Sequence, residues 1–446
     1  MTKILPTVGP ENSSISDLRY LLGDYKIIRL NGSHNTVHWH AEKSRNLKKI
    51  NKEITVLIDL PGSKPRIKID KAILINKNEK VIFFYGKPPK KKNIKLIEIS
   101  NPLPKIKNNK YFLVNDNQYK FNLYKIKKNY ILGISSQRFI LENRKGLNLP
   151  ESFYDEELQK KNVLNFISQL YKYGATFDAV GLSYVQSSDL VKIINKKYPT
   201  VLIVSKIENS LGVNNAKDII KCSDAIMIDR GDLSAEIGEE RLYEVIEKIN
   251  FFCKELSKPL IMATQNLLSM KTQSLPTQSE IFAIGYAKKK NIDMLMLSDE
   301  TAINKYWKRT LKWLNSFLKK DDNHAIIENE NFDIWSVVNE QNNSNIVIFT
   351  KKGHSFQNLK LKNNNKYFIF SENKKIENRL NFYSNVIFNH CKFSKVNSEY
   401  IKKNIKKYSD VIFEKGRSAI LVSILFPKKN SRANTLTLLS KHLFTK

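Results

Sequence analysis

Residues able to do chemistry recur at the ends of apolar runs in this sequence. In "TVLIVSKIEN", Lys206 and Glu208 alternate along a strand-like segment, so both side chains face the same way. Asp232 follows the next such run, "DAIMIDRG". Two carboxylates with room for water and other oxygens suit a magnesium ion, and a lysine between them supplies a fixed cation against developing negative charge. A purely structural Lys-Glu-Asp ion-pair network is the alternative. Polar residues close the other runs too: Arg29, Asp59, Thr264, and Ser298 with Glu300. Taken alone, Thr264 reads as an ordinary strand-end hydroxyl. His38 and His40 lack the i, i+4 spacing of a helical zinc pair and are expected at an exposed helix start.

These side chains need elements that bring them together. From Lys3 to about Arg66, apolar runs rich in β-formers ("KILPTVG", "YKIIRLN", "ITVLIDLPG") alternate with helical stretches ("SISDLRYLL", "WHAEKSRNLKKI"), the signature of parallel β/α units. From about Ile67 to Arg144 only closely spaced strand-like runs occur, including "KVIFFYG", "KYFLVND" and "NYILGIS", which predicts an inserted small β-barrel. The β/α rhythm resumes at Lys145, with strands such as "FDAVGLSYV", "PLIMATQ" and "IDMLMLSDE" and helices such as "SDLVKIINKKY" and "LYEVIEKINFFCKEL". The fold class is therefore α/β. It is a TIM-type (β/α)8 barrel over 1–66 and 145–322, an inserted small β-barrel over 67–144, and a C-terminal α/β domain over 330–446. In such a barrel the strand ends converge on one mouth, where catalysis is usual.

Bulk properties narrow the class further. The 446 residues suit two or three domains. A hydrophobic fraction of 41% and a mean hydropathy of -0.41 are those of a soluble chain, with no apolar run long enough to span a bilayer. Cys222, Cys253 and Cys391 are spaced for neither a disulfide framework nor zinc, and Met1–Pro10 lacks a signal-peptide pattern, so a cytoplasmic location is expected. The net charge of +32 suggests a polyanion partner. Its lysines, however, are scattered among Asn and Ile in a chain-wide bias, so nucleic acid is not the expected partner.

The ordered series "PTVGP", "RLNGSH", "IDLPGSKPR", "KGLNLP", "GLSYVQ", "SKIEN", "IMIDRGDLSAEI", "KPLIMATQ", "PTQSE" and "MLSDETA" resembles the signatures of the pyruvate kinase family. The resemblance implies phosphoryl transfer from phosphoenolpyruvate to ADP, giving pyruvate and ATP, the last step of glycolysis. It implies that Glu208 and Asp232 hold Mg2+ (or Mn2+). Lys206 and Arg29 would meet the moving phosphoryl, and backbone N–H groups around Gly231 and Asp232 would bind the substrate carboxylate. Thr264 would stand beside the enolate face that is protonated, with Ser298 and Glu300 in the water network there. Arg66 and Lys145 would clamp the nucleotide, near Asn31 and His34. A homotetramer is the implied assembly.

Departures from the family pattern carry their own expectations. Where the family uses potassium at positions matching Asn31, Ser33 and Asp59, this chain has Leu60 and Lys64 in place of Thr and Glu. A lysine ammonium can stand for a bound monovalent cation, so K+ is not expected to be required. Asp299 replaces a Gly, Asn266 a Met, and Gln278, Ala283 and Tyr286 replace Arg, Asp and Asn; the lid turn at Asp116 also lacks its Gly. Such changes leave two alternatives open: an enzyme acting on another enolpyruvate or keto acid, or a non-catalytic relative that binds polyanions. In the C-terminal domain "TKKGHS" keeps Thr350, Lys351 and Ser355, but "FPKKNSRAN" has no Gly, and control by a sugar phosphate is not expected.

Overall fold

Eight apolar runs become the parallel strands of a closed barrel: β1 (Lys3–Val8), β2 (Ile27–Asn31), β3 (Thr55–Asp59), β4 (Ala179–Leu182), β5 (Leu202–Lys206), β6 (Ala225–Asp229), β7 (Leu260–Ala263) and β8 (Met294–Leu297). Each strand pairs with its neighbour in sequence, and β8 closes on β1. The computed structural model describes all residues except 1, 92, 107–108, 116–117, 320–333, 351–358, 393–397, 415, 424–434 and 442–446. The readings made for Asp116, Lys351, Ser355 and the loop 426–434 lie outside the described residues. Barrel strands are covered on both faces, so they read as continuous apolar runs rather than alternating ones; every residue of β3 and β5 is buried. Pairing in register sets Arg29 of β2 against Leu57, and Asn31 against Asp59.

The helices fall where the periodicity places them. Ile15–Asp24 is capped by Ser14, whose hydroxyl accepts from the Asp17 N–H, and Val37–Ile50 is capped in the same way by Thr36. Ser188–Lys197, Leu242–Glu255 and Gln278–Lys289 follow later strands. His40 departs from expectation. It is buried, with Nε2 2.7 Å from the carbonyl of His34, because its face of the helix packs inward while His38 sits further out.

Between β3 and the helix Glu156–Lys172 the described residues form strands only. A seven-stranded sheet and a two-stranded one, Ile73–Ile75 with Phe139–Leu141, enclose a main apolar core, with a smaller cluster of Ile82, Phe84 and Leu132 beside it. Phe83, Phe112 and Phe121 are wholly buried in the main core, the last two stacked with centroids 5.0 Å apart. Each such ring contributes on the order of 1.5–3 kcal/mol of apolar burial, enough to organise a segment without helices.

The chain divides into two compact units: Ile4–Ala287 with Leu295–Leu311, and Met1–Lys3, Lys288–Met294 with Lys312–Lys446. The inserted sheets belong to the first. The second contains a five-stranded sheet in the order Val386–His390, Lys366–Ser371, Ser344–Phe349, Ser418–Ser423, Thr435–Leu439. Its first four strands are parallel and the last is antiparallel. Alternate residues enter two cores: Val347, Phe349, Phe368 and Phe370 on one face, Ile346, Ile348, Tyr367 and Ile369 on the other.

Candidate active site

At the C-terminal ends of the strands the polar side chains meet around Lys206. This lysine ends β5, is 6% exposed, and has its ammonium 2.9 Å from Glu208 Oε1, 3.3 Å from Asp59 Oδ2 and 3.2 Å from Ser183 Oγ. Asp59 Oδ2 also receives the fork of Arg29, at 3.0 Å from Nε and 2.7 Å from Nη2. Arg29 reaches across the barrel to Thr7 Oγ1 at 3.0 Å and Ser298 Oγ at 3.4 Å. Strand ends from β1, β2, β3, β5 and β8 are thereby tied by charged hydrogen bonds, which are the stronger kind.

The other half of the centre is acidic. Asp229 ends β6 and caps the helix Arg230–Ile237, accepting from the Asp232 N–H at 3.3 Å. Thr264, just past β7, donates to Asp229 Oδ1 at 2.9 Å and accepts from the Gly231 N–H at 3.3 Å. Thr264 and Gln265 both lie at positive φ, 60° and 52°, a costly conformation for a β-branched residue. Arg230 and Asn266 hold that turn: the guanidinium donates to the Thr264 carbonyl and, at 2.9 Å, to Asn266 Oδ1, while Asn266 Nδ2 reaches the Met296 carbonyl at 2.8 Å. Glu208, Asp229 and Asp232 each offer an oxygen within 4.8 Å of the others. An all-oxygen anionic donor set suits a hard divalent cation such as Mg2+ or Mn2+.

Electrostatics divide the centre. Burial alone would lower the Lys206 ammonium, but Asp59 and Glu208 outweigh it and raise its pKa, so Lys206 stays charged. Burial pushes Glu208 up to about 7 against the pull of Lys206. Asp229 is also raised, by burial and by the neighbouring Asp232. Asp232 goes the other way, to about 2, because Lys64 overcomes its burial. Asp59 is likewise held down by Lys206 and Arg29 against burial.

Lys64 is nine-tenths or more buried and its ammonium pairs with Asp232. Gly146 makes the path possible: a Cβ there would come within 2.3 Å of Lys64 Cε. The expected cluster of Lys64 with Asn31, Ser33 and Asp59 is thus drawn differently, with Lys64 on Asp232 and with Arg29 and Lys206 on Asp59. The Ser33 N–H donates to Asn31 Oδ1 at 3.1 Å.

A cavity of about 650 Å³ opens over this centre, lined by most of the residues singled out from the sequence: Arg29, Asn31, Ser33, His34, Lys64, Arg66, Lys145, Lys206, Glu208, Gly231, Asp232, Thr264, Ser298 and Glu300. Arg66 and Lys145 enter it from the two ends that flank the inserted segment, with Arg66 bonded to the Arg144 carbonyl at 3.2 Å and Lys145 paired to Glu142 at 3.1 Å. His34 is lowered by burial and then by Arg66, so its imidazole is neutral at pH 7. Glu300, raised by burial, braces the β8 end by accepting from the Ser298 N–H at 2.7 Å. Asp299 lines the cavity but is paired with Lys271 at 3.1 Å. Gln278, Ala283 and Tyr286 lie on one helix outside the lining, and the Tyr286 hydroxyl bonds Glu247.

Two features escaped the sequence reading. One is Asp229. The other is Glu236, buried one helical turn after Asp232, whose Oε1 accepts from the Tyr154 hydroxyl at 3.0 Å and Asn148 Nδ2 at 3.3 Å. Burial raises its carboxyl from 4.5 to about 8. The folded chain then binds a proton that the unfolded chain releases between those pH values, so stability falls as pH rises from about 4.5 to about 8 and levels off above. Glu236→Gln, which mimics the neutral acid, is expected to flatten that part of the stability curve. Urea denaturation across pH 5–9 checks it, and an unchanged slope would refute the assignment.

A parallel eight-stranded barrel, with a lysine-centred acidic mouth and an all-β segment inserted after its third strand, defines the class: a TIM-type barrel protein. Residues 1–311 match the family model for the pyruvate kinase barrel domain. The pyruvate kinase of Buchnera aphidicola subsp. Schizaphis graminum is 32% identical over 343 residues, 70% of this chain and 67% of that protein. That of Thermococcus litoralis is 28% identical over 320 residues, covering 68% of this chain and 66% of its own length. The Thermotoga maritima pyruvate kinase aligns along 98% of this chain and 99% of its own, at 27% identity. The chain belongs to the pyruvate kinase family.

Proposed function

We propose that this chain transfers the phosphoryl group of phosphoenolpyruvate to ADP, in the cytoplasm, with Mg2+ or Mn2+ and without a need for potassium. The observation that carries this reading is Lys206: a buried, permanently charged ammonium set among Asp59, Glu208 and Ser183 at the barrel mouth. In the reaction an ADP oxygen attacks phosphorus, the bond from phosphorus to the enol oxygen breaks, and the enolate takes a proton at its terminal carbon.

Lys206 neutralises charge on the phosphoryl and on the enol oxygen as that bond breaks, and Arg29 holds the phosphoryl with its planar fork. Glu208 and Asp232 would hold the divalent cation, which when bound would supply positive charge to offset that of the substrate. The N–H groups of Gly231 and Asp232 receive the substrate carboxylate in exchange for their long 3.3 Å bonds to Thr264 and Asp229. Thr264 faces the carbon to be protonated, and Ser298 with Glu300 orders the water that delivers the proton. Arg66 and Lys145 clamp the nucleotide phosphates beside Asn31 and His34, with residues 67–144 as the lid. The barrel domain is assigned to 1–66 and 145–322 and the C-terminal domain to 330–446, in a homotetramer.

The fixed ammonium of Lys64 supports potassium independence, since it brings a monovalent positive charge into the mouth with the chain itself. Coupling pyruvate formation to lactate dehydrogenase, with ADP or GDP as acceptor, tests the whole reading. Turnover on a different enolpyruvate with none on phosphoenolpyruvate would replace the substrate while keeping the chemistry.

A further inference from the structure

Asp229 does not belong to the pair of carboxylates assigned to the metal, yet it stands beside them. Its contacts are lopsided. Both of its hydrogen bonds, from Thr264 Oγ1 at 2.9 Å and from the Asp232 N–H at 3.3 Å, fall on Oδ1. Among the described residues Oδ2 accepts none, and no ammonium or guanidinium stands within ion-pair distance of this carboxylate. Its neighbours are placed otherwise: Asp232 is neutralised by Lys64, and Asp59 by Arg29 and Lys206. Glu208 is wholly buried, and its Oε1 has one recorded partner, the Lys206 ammonium at 2.9 Å. An oxygen of Asp229 lies within 4.8 Å of an oxygen of Glu208 and of one of Asp232, and its Oδ2 carries no hydrogen bond among the described residues.

We propose that Asp229 is a third carboxylate ligand of the divalent-cation site, so that Glu208, Asp229 and Asp232 together hold the ion. The inference rests on reading this mouth as a divalent-metal site. Three rigid positions supply the set: a residue just past β5, the last residue of β6, and the first turn of the helix that Asp229 itself caps. Thr264 holds Oδ1 at 2.9 Å, joined by the Asp232 N–H while no substrate is bound, and this leaves Oδ2 free for an ion, much as outer partners orient a metal-ligating carboxylate. A third negative ligand strengthens capture of the free dication and weakens entry of an anion into the metal-free mouth. Anionic substrate binding should then depend steeply on metal.

Binding of MnCl2 alone, followed by the electron paramagnetic resonance signal of free Mn2+, tests this without turnover. Asp229→Asn keeps an acceptor for Thr264 and for the helix cap while removing the charge. It is expected to weaken Mn2+ binding at least about 10-fold, as is Asp229→Ala, both with a wild-type near-ultraviolet circular dichroism spectrum. Glu208→Gln serves as the reference. If Glu208→Gln weakens Mn2+ binding and the Asp229 variants do not, Asp229 is no ligand and the proposal is overturned while the metal site stands. If none of the variants changes Mn2+ affinity, the metal reading itself falls. Tighter oxalate binding by Asp229→Asn at unchanged Mn2+ affinity would instead make Asp229 an occupant of the anion seat, which also overturns the proposal.

Discussion

Replacing Lys206 by alanine is expected to lower kcat at least about 10²- to 10³-fold, the loss typical when one preorganised charge-stabilising group is removed from a closed site. The ammonium sits between Asp59 and Glu208, and no other cation recorded at the centre can take its place. Arg29, anchored by Asp59, has its own contact with the phosphoryl, and Lys64 is held by Asp232. Removing Lys206 also leaves Glu208 buried beside Asp232 with less compensation, so Glu208 takes up a proton and the metal weakens with it. Lys206→Met preserves the buried stem and separates loss of charge from loss of packing: circular dichroism and denaturation should stay near wild type while turnover is lost. A variant retaining near-normal kcat would refute the role given to Lys206.

The second large effect concerns Lys64. Wild-type turnover is expected to be the same in potassium as in a bulky organic cation such as tetramethylammonium, because the chain carries its own monovalent charge. Lys64→Ala should lose about 10²-fold in the organic cation and recover part of that in potassium, which can enter the vacated space beside Gly146. The pair with Asp232 adds a further expectation. Without Lys64, Asp232 loses the charge that holds its carboxyl near 2, and the low-pH limb of activity moves up. A wild-type enzyme that stops when potassium is withdrawn would sink the replacement.

Much of this was legible in the sequence, for physical reasons that differ from element to element. The barrel strands are short apolar runs, and the helices between them carry their own periodicity and caps, as at Ser14 and Thr36. Local signals of that kind survive without tertiary context. The convergence of Arg29, Asp59, Lys206, Glu208, Thr264 and Glu300 followed from parallel topology alone, since strand ends share one mouth. Partner choice did not follow. Lys64 and Asp232 are far apart in sequence and meet only because Gly146 leaves room. Asp229 was readable by the same rule as the others, a charged residue closing an apolar run, but Asp232 three residues on satisfies that rule for the same strand. Glu236 gave no signal, because a glutamate on a short helix is normally solvated and only the fold reveals its burial against Tyr154. The last strand of the C-terminal sheet, Thr435–Leu439, carried a pattern too short to stand apart from its flanks.

The most direct measurement of the central claim is phosphorus nuclear magnetic resonance on purified protein with phosphoenolpyruvate, ADP and Mg2+. The account predicts that the phosphoenolpyruvate resonance decays while the β- and γ-phosphate resonances of ATP grow in equal amount, in tetramethylammonium as in potassium, and that Lys206→Met shows neither change. A folded wild-type protein that leaves both substrates untouched, and instead binds RNA or another polyanion, would contradict it.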